Sequence, residues 1–377
     1  MIGPDIGIFF GRPIRSQVLA EELRTQGLSV AIYNNEGTPG TYTHTPLSCF
    51  PALSRLFSTH HQIYLTSSCF LPAFSLYLNW RARGIPYVFN AVGLMSPTYR
   101  ERSGRKLLGP VAERWLYPAL LNRIFVGARA IVCNSQYLQR RLAAEFPPMA
   151  PKMLTIYNGI EFDRFASGKP IPRNDTPAHA ANLLAVMTWD HEGKSSGARL
   201  LIDAMGLIAE KLPEARLTIA ASVNHWGYAR PIEEYLATRP WSASINILYN
   251  QTNIPDLLAS SDLFVYATPA ESNDSLPRAL LEAHATALPI VTTATAGCPE
   301  VVEDSVTGFL VSYDPQVLAM RVLELLANPN RRREMGKLGQ AHVRAQFSWQ
   351  QMGSAYARLL RQIISGGGPG GCGLVAS

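Results

Sequence analysis

The sequence is short of cysteine and of charge. Its 377 residues include five cysteines, Cys49, Cys69, Cys133, Cys298 and Cys372, an odd number without a C-x-x-C pair. That argues against a disulfide scaffold or a zinc module and for a reducing compartment. Charged residues make up only 16% and hydrophobic ones 47%, which excludes a coiled coil or a disordered chain and fits a large buried core. The chain does not open with a basic segment, an apolar segment and a small-residue cleavage site, so a cytoplasmic location is the expectation. The longest uncharged run, 60–80, contains Pro72 and Asn79 and divides into a strand-like and a helix-like piece; it does not read as a membrane span.

Several chemistries are also missing. No G-x-G-x-x-G follows a strand, so neither a nicotinamide nor a flavin cofactor is expected. There is no H-E-x-x-H, no His/Cys cluster and no G-x-S-x-G elbow, so neither a metal nor a serine nucleophile is expected. Gly193-Lys194-Ser195 invites a P-loop reading, but the glycine required five positions earlier is Thr188. His60-His61 reads as a solvated turn and His284 as a packed helix residue.

What is present is alternation. Apolar runs at 5–10, 28–33, 62–66, 86–90, 130–133 and 153–157 alternate with helical patterns at 71–83, 106–121 and 137–145. After a Pro-rich stretch at 167–181 the pattern restarts, with strands at 183–187, 216–220, 245–248, 263–266 and 290–293. Helices at 198–211, 231–237, 254–259 and 277–287 alternate with them, and 315–364 is nearly all helix. Short buried strands between helices mean parallel sheets covered on both faces. The expected fold is α/β: two doubly wound Rossmann-like domains facing a central cleft, with ligands at the carboxyl ends of the strands. The expected domains are 1–166, to which a helix at 348–365 returns, and 167–347, followed by a disordered Gly-rich tail at 366–377.

Charge is uneven. Residues 1–165 carry 17 Lys/Arg against 9 Asp/Glu, and the remainder 17 against 19. The basic half should meet something anionic. Within 99–129, seven basic residues, among them Arg102, Arg105 and Lys106, interleave with aromatic and aliphatic ones. Such a segment suits an anionic bilayer, or is a core-facing helix with a solvated basic face. No nucleic-acid-binding signature accompanies it, so nucleic acid is not an expected partner.

The stretch Glu271 to Ala283 carries the richest chemistry. Strand 263–266 leads into a polar loop holding Asp274, and a Pro277-initiated helix carries Glu282. Two carboxylates so spaced can accept hydrogen bonds from several ligand hydroxyls; equally, Asp274 could cap the helix and Glu282 pair with a surface arginine. Small residues from Thr295 to Pro299 after strand 290–293 could lead into a helix start whose amides suit phosphate, or form an ordinary loop. Lys194, past strand 183–187, could neutralise a diphosphate or be a solvated lysine.

Together and in order, these residues resemble the GT-B glycosyltransferases of family 4. Asp274 to Glu282 is similar to the family's E-x7-E motif with Asp in first place, Ile156 to Phe165 to its "IPNGID…F" element, and Cys133 to Leu138 to its "VSxxxxxxL" step. Ala283 to Pro289, Gly297 to Val302, Asp304 to Leu310 and Phe347-Ser348-Trp349 resemble "EAMAxGxP", "GGxPEVV", "DGxTGxL" and "FSW". The resemblance is dense over 130–365 and sparse before it.

It implies a retaining transfer from a UDP- or GDP-type nucleotide sugar to a lipid-linked or polysaccharide-precursor acceptor. No metal or other cofactor is implied, and with the basic first half the reading adds a peripheral position at the inner membrane face. By resemblance Asp274 holds the donor sugar, Glu282 the ribose, and Lys194 with amides near Gly297 the diphosphate. Ser275, Leu276 and Arg278 complete the donor side, and Gly11, Arg12 and Asn90 stand on the acceptor side. The family's phosphate-binding arginine is Trp189 here, leaving Lys194 alone or with Arg278 or Arg199. A degenerate protein that binds nucleotide without turnover is the alternative.

Overall fold

The computed structural model describes residues 4–9, 13–33, 60–67, 70–92, 110–171, 181–189, 192–223, 226–270, 272 and 274–367. The chain forms two compact units, Met1–Gly159 with Trp349–Ser377, and Ile160–Ser348.

The first unit is built on a parallel sheet in the order β2-β1-β3-β4-β5-β6. Its strands are β1 (Asp5–Phe9), β2 (Ser29–Tyr33), β3 (Ile63–Ser67), β4 (Tyr87–Ala91), β5 (Ala130–Cys133) and β6 (Met153–Thr155). Residues alternate between faces along each strand. Tyr64, Tyr87, Phe89 and Ile131 therefore pack under α2 (Phe70–Arg83), α3 (Pro110–Gly127) and α4 (Gln136–Glu145). Ile63, Leu65, Val88 and Val132 pack under α1 (Pro13–Thr25) and the C-terminal α12 (Trp349–Ile364). Ser135 starts α4 by accepting the Leu138 amide at 3.1 Å, the usual remedy for an orphan helix donor. His61 is no solvated turn: its side chain is 9% exposed, and Nδ1 lies 2.7 Å from Asp5 Oδ2. The run 60–80 divides into β3 and α2, and no described helix is long and apolar enough to cross a membrane.

The second unit has its own parallel sheet, ordered β12-β11-β10-β7-β8-β9. The strands are β7 (Asn182–Trp189), β8 (Arg216–Val223), β9 (Ile245–Tyr249), β10 (Leu263–Tyr266), β11 (Ile290–Thr293) and β12 (Gly308–Val311). The chain moves outward from β7 to β9, then returns to β10 on the other side of β7 and moves outward again. This reversal between β7 and β10 is a topological switch point, where two loops diverge and leave a crevice at the strands' carboxyl ends. Trp189 extends β7 beyond the expected 187 because Thr188 and Trp189 still pair with Ser222 and Val223. β12 was not anticipated; its four residues lack alternation and gain their pairing from β11.

Helices α6 (Glu192–Lys211), α7 (Arg230–Ala237) and α10 (Pro315–Leu326) pack together, as do α5 (Phe162–Ala166), α9 (Arg278–Ala285) and α11 (Pro329–Gln346). The remaining helix, α8 (Ile254–Ala259), lies beside α5. The described part of the Pro-rich stretch is ordered by two bonds, Lys169 N to Asp256 Oδ1 at 2.9 Å and Ile171 N to Ser260 Oγ at 2.7 Å. The unit boundary at Gly159 precedes the expected 166 because α5, anchored by buried Phe165, packs on α8 and α9.

Candidate functional site

The carboxyl ends of β10 and β11 build a hydroxyl-lined floor. Thr293 Oγ1 donates to the Thr268 carbonyl at 3.0 Å, and Thr295 Oγ1 donates to the same oxygen at 2.5 Å. The Thr268 amide returns a bond to Thr293 Oγ1 at 3.1 Å. On this floor Asp274 Oδ2 accepts from Tyr266 Oη at 2.7 Å and from Thr268 Oγ1 at 3.0 Å. Two hydroxyls that are themselves fixed by strand register set the orientation of the carboxylate. Asp274 is therefore not a helix cap; Pro277 holds the N-cap position of α9, without a side-chain bond.

Ser275 and Leu276 follow Asp274 and are buried, at 5% and 7% exposure, so they offer the site backbone more than side chain. A Cβ on Gly297 would lie 1.9 Å from the Ser275 carbonyl, so only glycine fits there. Gly297 is followed by a single 3-10 turn, Cys298–Glu300, which corrects the expected helix start. Its amide donates to the Asp274 carbonyl at 3.0 Å and is thus already engaged. Burial pushes the Cys298 thiol up to about 12, against a small downward pull from Thr292, so it stays neutral.

Glu282 lies in the second turn of α9, beyond the loop that carries Asp274, with its side chain 15% exposed. Its proton affinity is raised, first by burial and then by the nearby Glu161 carboxylate; Arg278 and Arg164 oppose the shift. Arg278 Nη2 is 3.5 Å from Glu282 Oε1, so the pairing with an arginine occurs. His284, two residues further along α9, is packed: it is fully buried, with Nδ1 3.3 Å from the Leu288 carbonyl.

The cationic candidates are dispersed. Lys194 falls in the first turn of α6 and not in a loop; its side chain lies outside what is described. In the next turn Gly197 brings α6 against the residue that follows β10, since a Cβ there would sit 1.9 Å from the Ala267 carbonyl. Arg199 stacks over the Tyr235 ring, 5.4 Å from its centroid. Trp189 is fully buried against Tyr249, and its indole N–H has no partner among the described residues. Among the described residues no group of three or more His, Cys, Asp or Glu gathers as a metal site.

In the first unit, Asn90 is the next-to-last residue of β4, buried at 5% exposure, with Oδ1 unpartnered among the described residues. Gly11 and Arg12 lie outside the described residues, as do Glu271, Arg102, Arg105 and Lys106. Sequence reasoning missed Tyr266, Thr268 and Thr293, and for Thr295 it missed the hydroxyl bond. The only signal was a threonine or tyrosine at each strand's carboxyl end.

Residues 17–164 match the family described as Glycosyltransferase Family 4, and residues 181–328 match Glycosyl transferases group 1. The chain is a family-4-like member of the GT-B glycosyltransferases. Curated relatives of this member include Spore coat protein SA of Bacillus subtilis, 24% identical over 59% of this chain. Another is the GDP-mannose-dependent monoacylated alpha-(1-6)-phosphatidylinositol monomannoside mannosyltransferase of Corynebacterium glutamicum, 29% identical over 64% of this chain. This chain spans 62% and 64% of the length of those two relatives. A glycosyltransferase from Rickettsia africae ESF-5 has a similar structure, with TM-score 0.74 and 16% identity over 97% of this chain and 99% of that one. Anabaena Alr3699/HepE in complex with UDP-glucose gives a TM-score of 0.70 and 17% identity over 95% and 99%. At these identities the two structures show the fold alone.

Proposed function

We propose that this family-4-like chain transfers a sugar, with retention of anomeric configuration, from a nucleotide diphosphate sugar to a lipid-linked or polysaccharide-precursor acceptor. The observation that carries the reading is the Asp274 carboxylate, oriented by two hydroxyls beyond the carboxyl end of β10, followed by the buried Glu282 on α9. A sugar ring and a ribose both present adjacent hydroxyls that carboxylates hold well.

In this reading Asp274 binds the donor sugar and Glu282 the ribose. Lys194, in the first turn of α6, is assigned to the diphosphate, where developing charge is best met by preorganised donors. The bond from the sugar's anomeric carbon to phosphate breaks and a bond to the acceptor oxygen forms on the same face. The acceptor's proton passes to the departing phosphate oxygen. No metal is required, and activity should survive exhaustive chelation. The names of the relatives support this choice of substrates: one uses GDP-mannose and a phosphatidylinositol mannoside, and HepE was captured with UDP-glucose. Asn90, Gly11 and Arg12 are proposed for the acceptor side, and the basic segment 99–129 for reversible contact with an anionic membrane at its cytoplasmic face.

Trp189 favours a second reading. A buried indole cannot supply the cation expected at that position, which leaves nucleotide binding without turnover as the alternative. Thermal-shift screening of UDP, GDP, ADP and their sugars, followed by transfer to lipid extracts, separates the two. Stabilisation with transfer supports the enzyme; stabilisation without transfer to any acceptor supports the binding protein; stabilisation by none refutes both.

A further inference from the structure

Asp274 is fixed through its main chain and through one carboxylate oxygen. Its amide donates to Ser272 Oγ at 3.2 Å, and its carbonyl accepts from the Gly297 amide at 3.0 Å. Tyr266 Oη and Thr268 Oγ1 converge on the same oxygen, Oδ2, at 2.7 and 3.0 Å, and neither engages Oδ1. Both donors come from the chain as it leaves β10, and both residues are buried, at 6% and 1% exposure. Tyr266 lies in register with Thr292 of β11. Thr268 is tied to the end of β11 by its amide and its carbonyl, through the hydroxyls of Thr293 and Thr295. The aim of the carboxylate is thus set by two paired strands as well as by its own loop. Valine and phenylalanine match Thr268 and Tyr266 in shape and would fill the same space. What the hydroxyls add is direction: a buried pair of O–H donors locks one rotamer of an acidic side chain, the support that a binding carboxylate needs.

We propose that Tyr266 and Thr268 are positioning residues for Asp274 and, through it, determinants of specificity for the sugar of the donor. The inference rests on the reading that Asp274 binds the donor sugar. A carboxylate accepts hydrogen bonds and does not donate them, so the sugar selected carries an unsubstituted hydroxyl or an amide N–H at the contacted position. Acting through Asp274, the two hydroxyls affect the sugar and leave the nucleoside diphosphate untouched. Thr293 and Thr295 stand one step further back, since their hydroxyls hold the Thr268 peptide and not the carboxylate.

The test is isothermal titration of the full chain with UDP-glucose, GDP-mannose, UDP and GDP. Thr268→Val and Tyr266→Phe should each weaken the sugar nucleotide that the wild type binds by roughly tenfold, with the bare nucleoside diphosphate bound as before. Thr268→Ser, which keeps the hydroxyl, should restore the affinity. In an Asp274→Ala background neither variant should weaken it further, a coupling that a merely structural role would not show. Equal weakening of sugar nucleotide and bare nucleotide overturns the inference, as does a loss that persists without Asp274. If Asp274→Ala weakens the sugar nucleotide and the hydroxyl variants do not, the donor-site reading stands and the inference falls. If Asp274→Ala binds it like the wild type, or neither sugar nucleotide binds, the reading falls and the inference with it.

Discussion

Glu282 is held against its own electrostatic preference. Burial raises its proton affinity, so the ionised form is favoured more in the unfolded chain than in the folded one. Stability from this group is complete below its unfolded value and declines as pH rises through the raised folded value. Glu282→Gln should therefore raise the unfolding midpoint of the second unit at pH 7–8, since the Arg278 pair that it removes is more than half exposed on the arginine side and such pairs contribute little. A gain of about 1 kcal/mol moves the midpoint of a domain this size by ~2–4 °C. The same variant should bind nucleotide more weakly, the trade expected of a residue kept for function. A lower midpoint in scanning calorimetry would contradict this. His284 behaves in the opposite sense. Burial lowers it from 6.5 to about 3, so its contribution is intact above 6.5 and is lost as pH falls toward about 3. Replacement with Leu should flatten the acid side of the stability curve by about one proton; an unchanged slope in urea unfolding at pH 4–7 would show that His284 is not the group responsible.

At the scale of elements, the loop that carries Asp274 depends on a main-chain approach at Gly297 that tolerates no side chain. Gly297→Ala would place a methyl 1.9 Å from the Ser275 carbonyl, forcing the loop that carries Asp274 to shift. Such overpacking typically costs about 1–3 kcal/mol, and donor turnover should fall with it; wild-type melting and kinetics in this variant would mean that the loop is not held as described. Tyr266→Phe should leave the fold intact and weaken sugar selection. It removes one of two hydroxyls to the carboxylate, a bond of about 1.5–3 kcal/mol, and a steady-state comparison of nucleotide sugars would read the change. Why some of this was legible in sequence and some was not follows from range. Strands such as Ala130–Cys133 and Leu263–Tyr266 declare themselves through apolar runs bounded by turns. The caps at Ser135 and Asn328, and Pro329 at the start of α11, are equally local. β12 and the last two residues of β7 exist through pairing with neighbouring strands, which no local window contains. Asp274 and Glu282 were legible because one loop and one helix carry both. The Thr268, Thr293 and Thr295 network was not, because it joins two strand ends through sheet register.

For the whole molecule, the switch point of the second sheet and the basic first half lead to different partners. Net positive charge is concentrated in residues 1–165, and each Lys or Arg close to an anionic leaflet contributes about 1 kcal/mol. Co-sedimentation with phosphatidylserine-containing vesicles should exceed that with neutral ones, weaken with salt, and fall when Arg102, Arg105 and Lys106 are changed together to Ser. Equal recovery on both vesicles would leave a soluble acceptor as the better choice. The central claim concerns the second unit: a nucleotide diphosphate sugar binds at the carboxyl ends of its strands through Asp274 and Glu282. Isothermal titration of the full chain with UDP-glucose and GDP-mannose tests it most directly, alongside Glu282→Ala and Asp274→Ala. The account predicts saturable binding of one donor by the wild type, weakened by about 1.5–3 kcal/mol in Glu282→Ala, with Asp274→Ala affecting the sugar nucleotide more than the bare nucleoside diphosphate. Binding of equal strength in all three proteins, or binding of neither donor by the wild type, would contradict it.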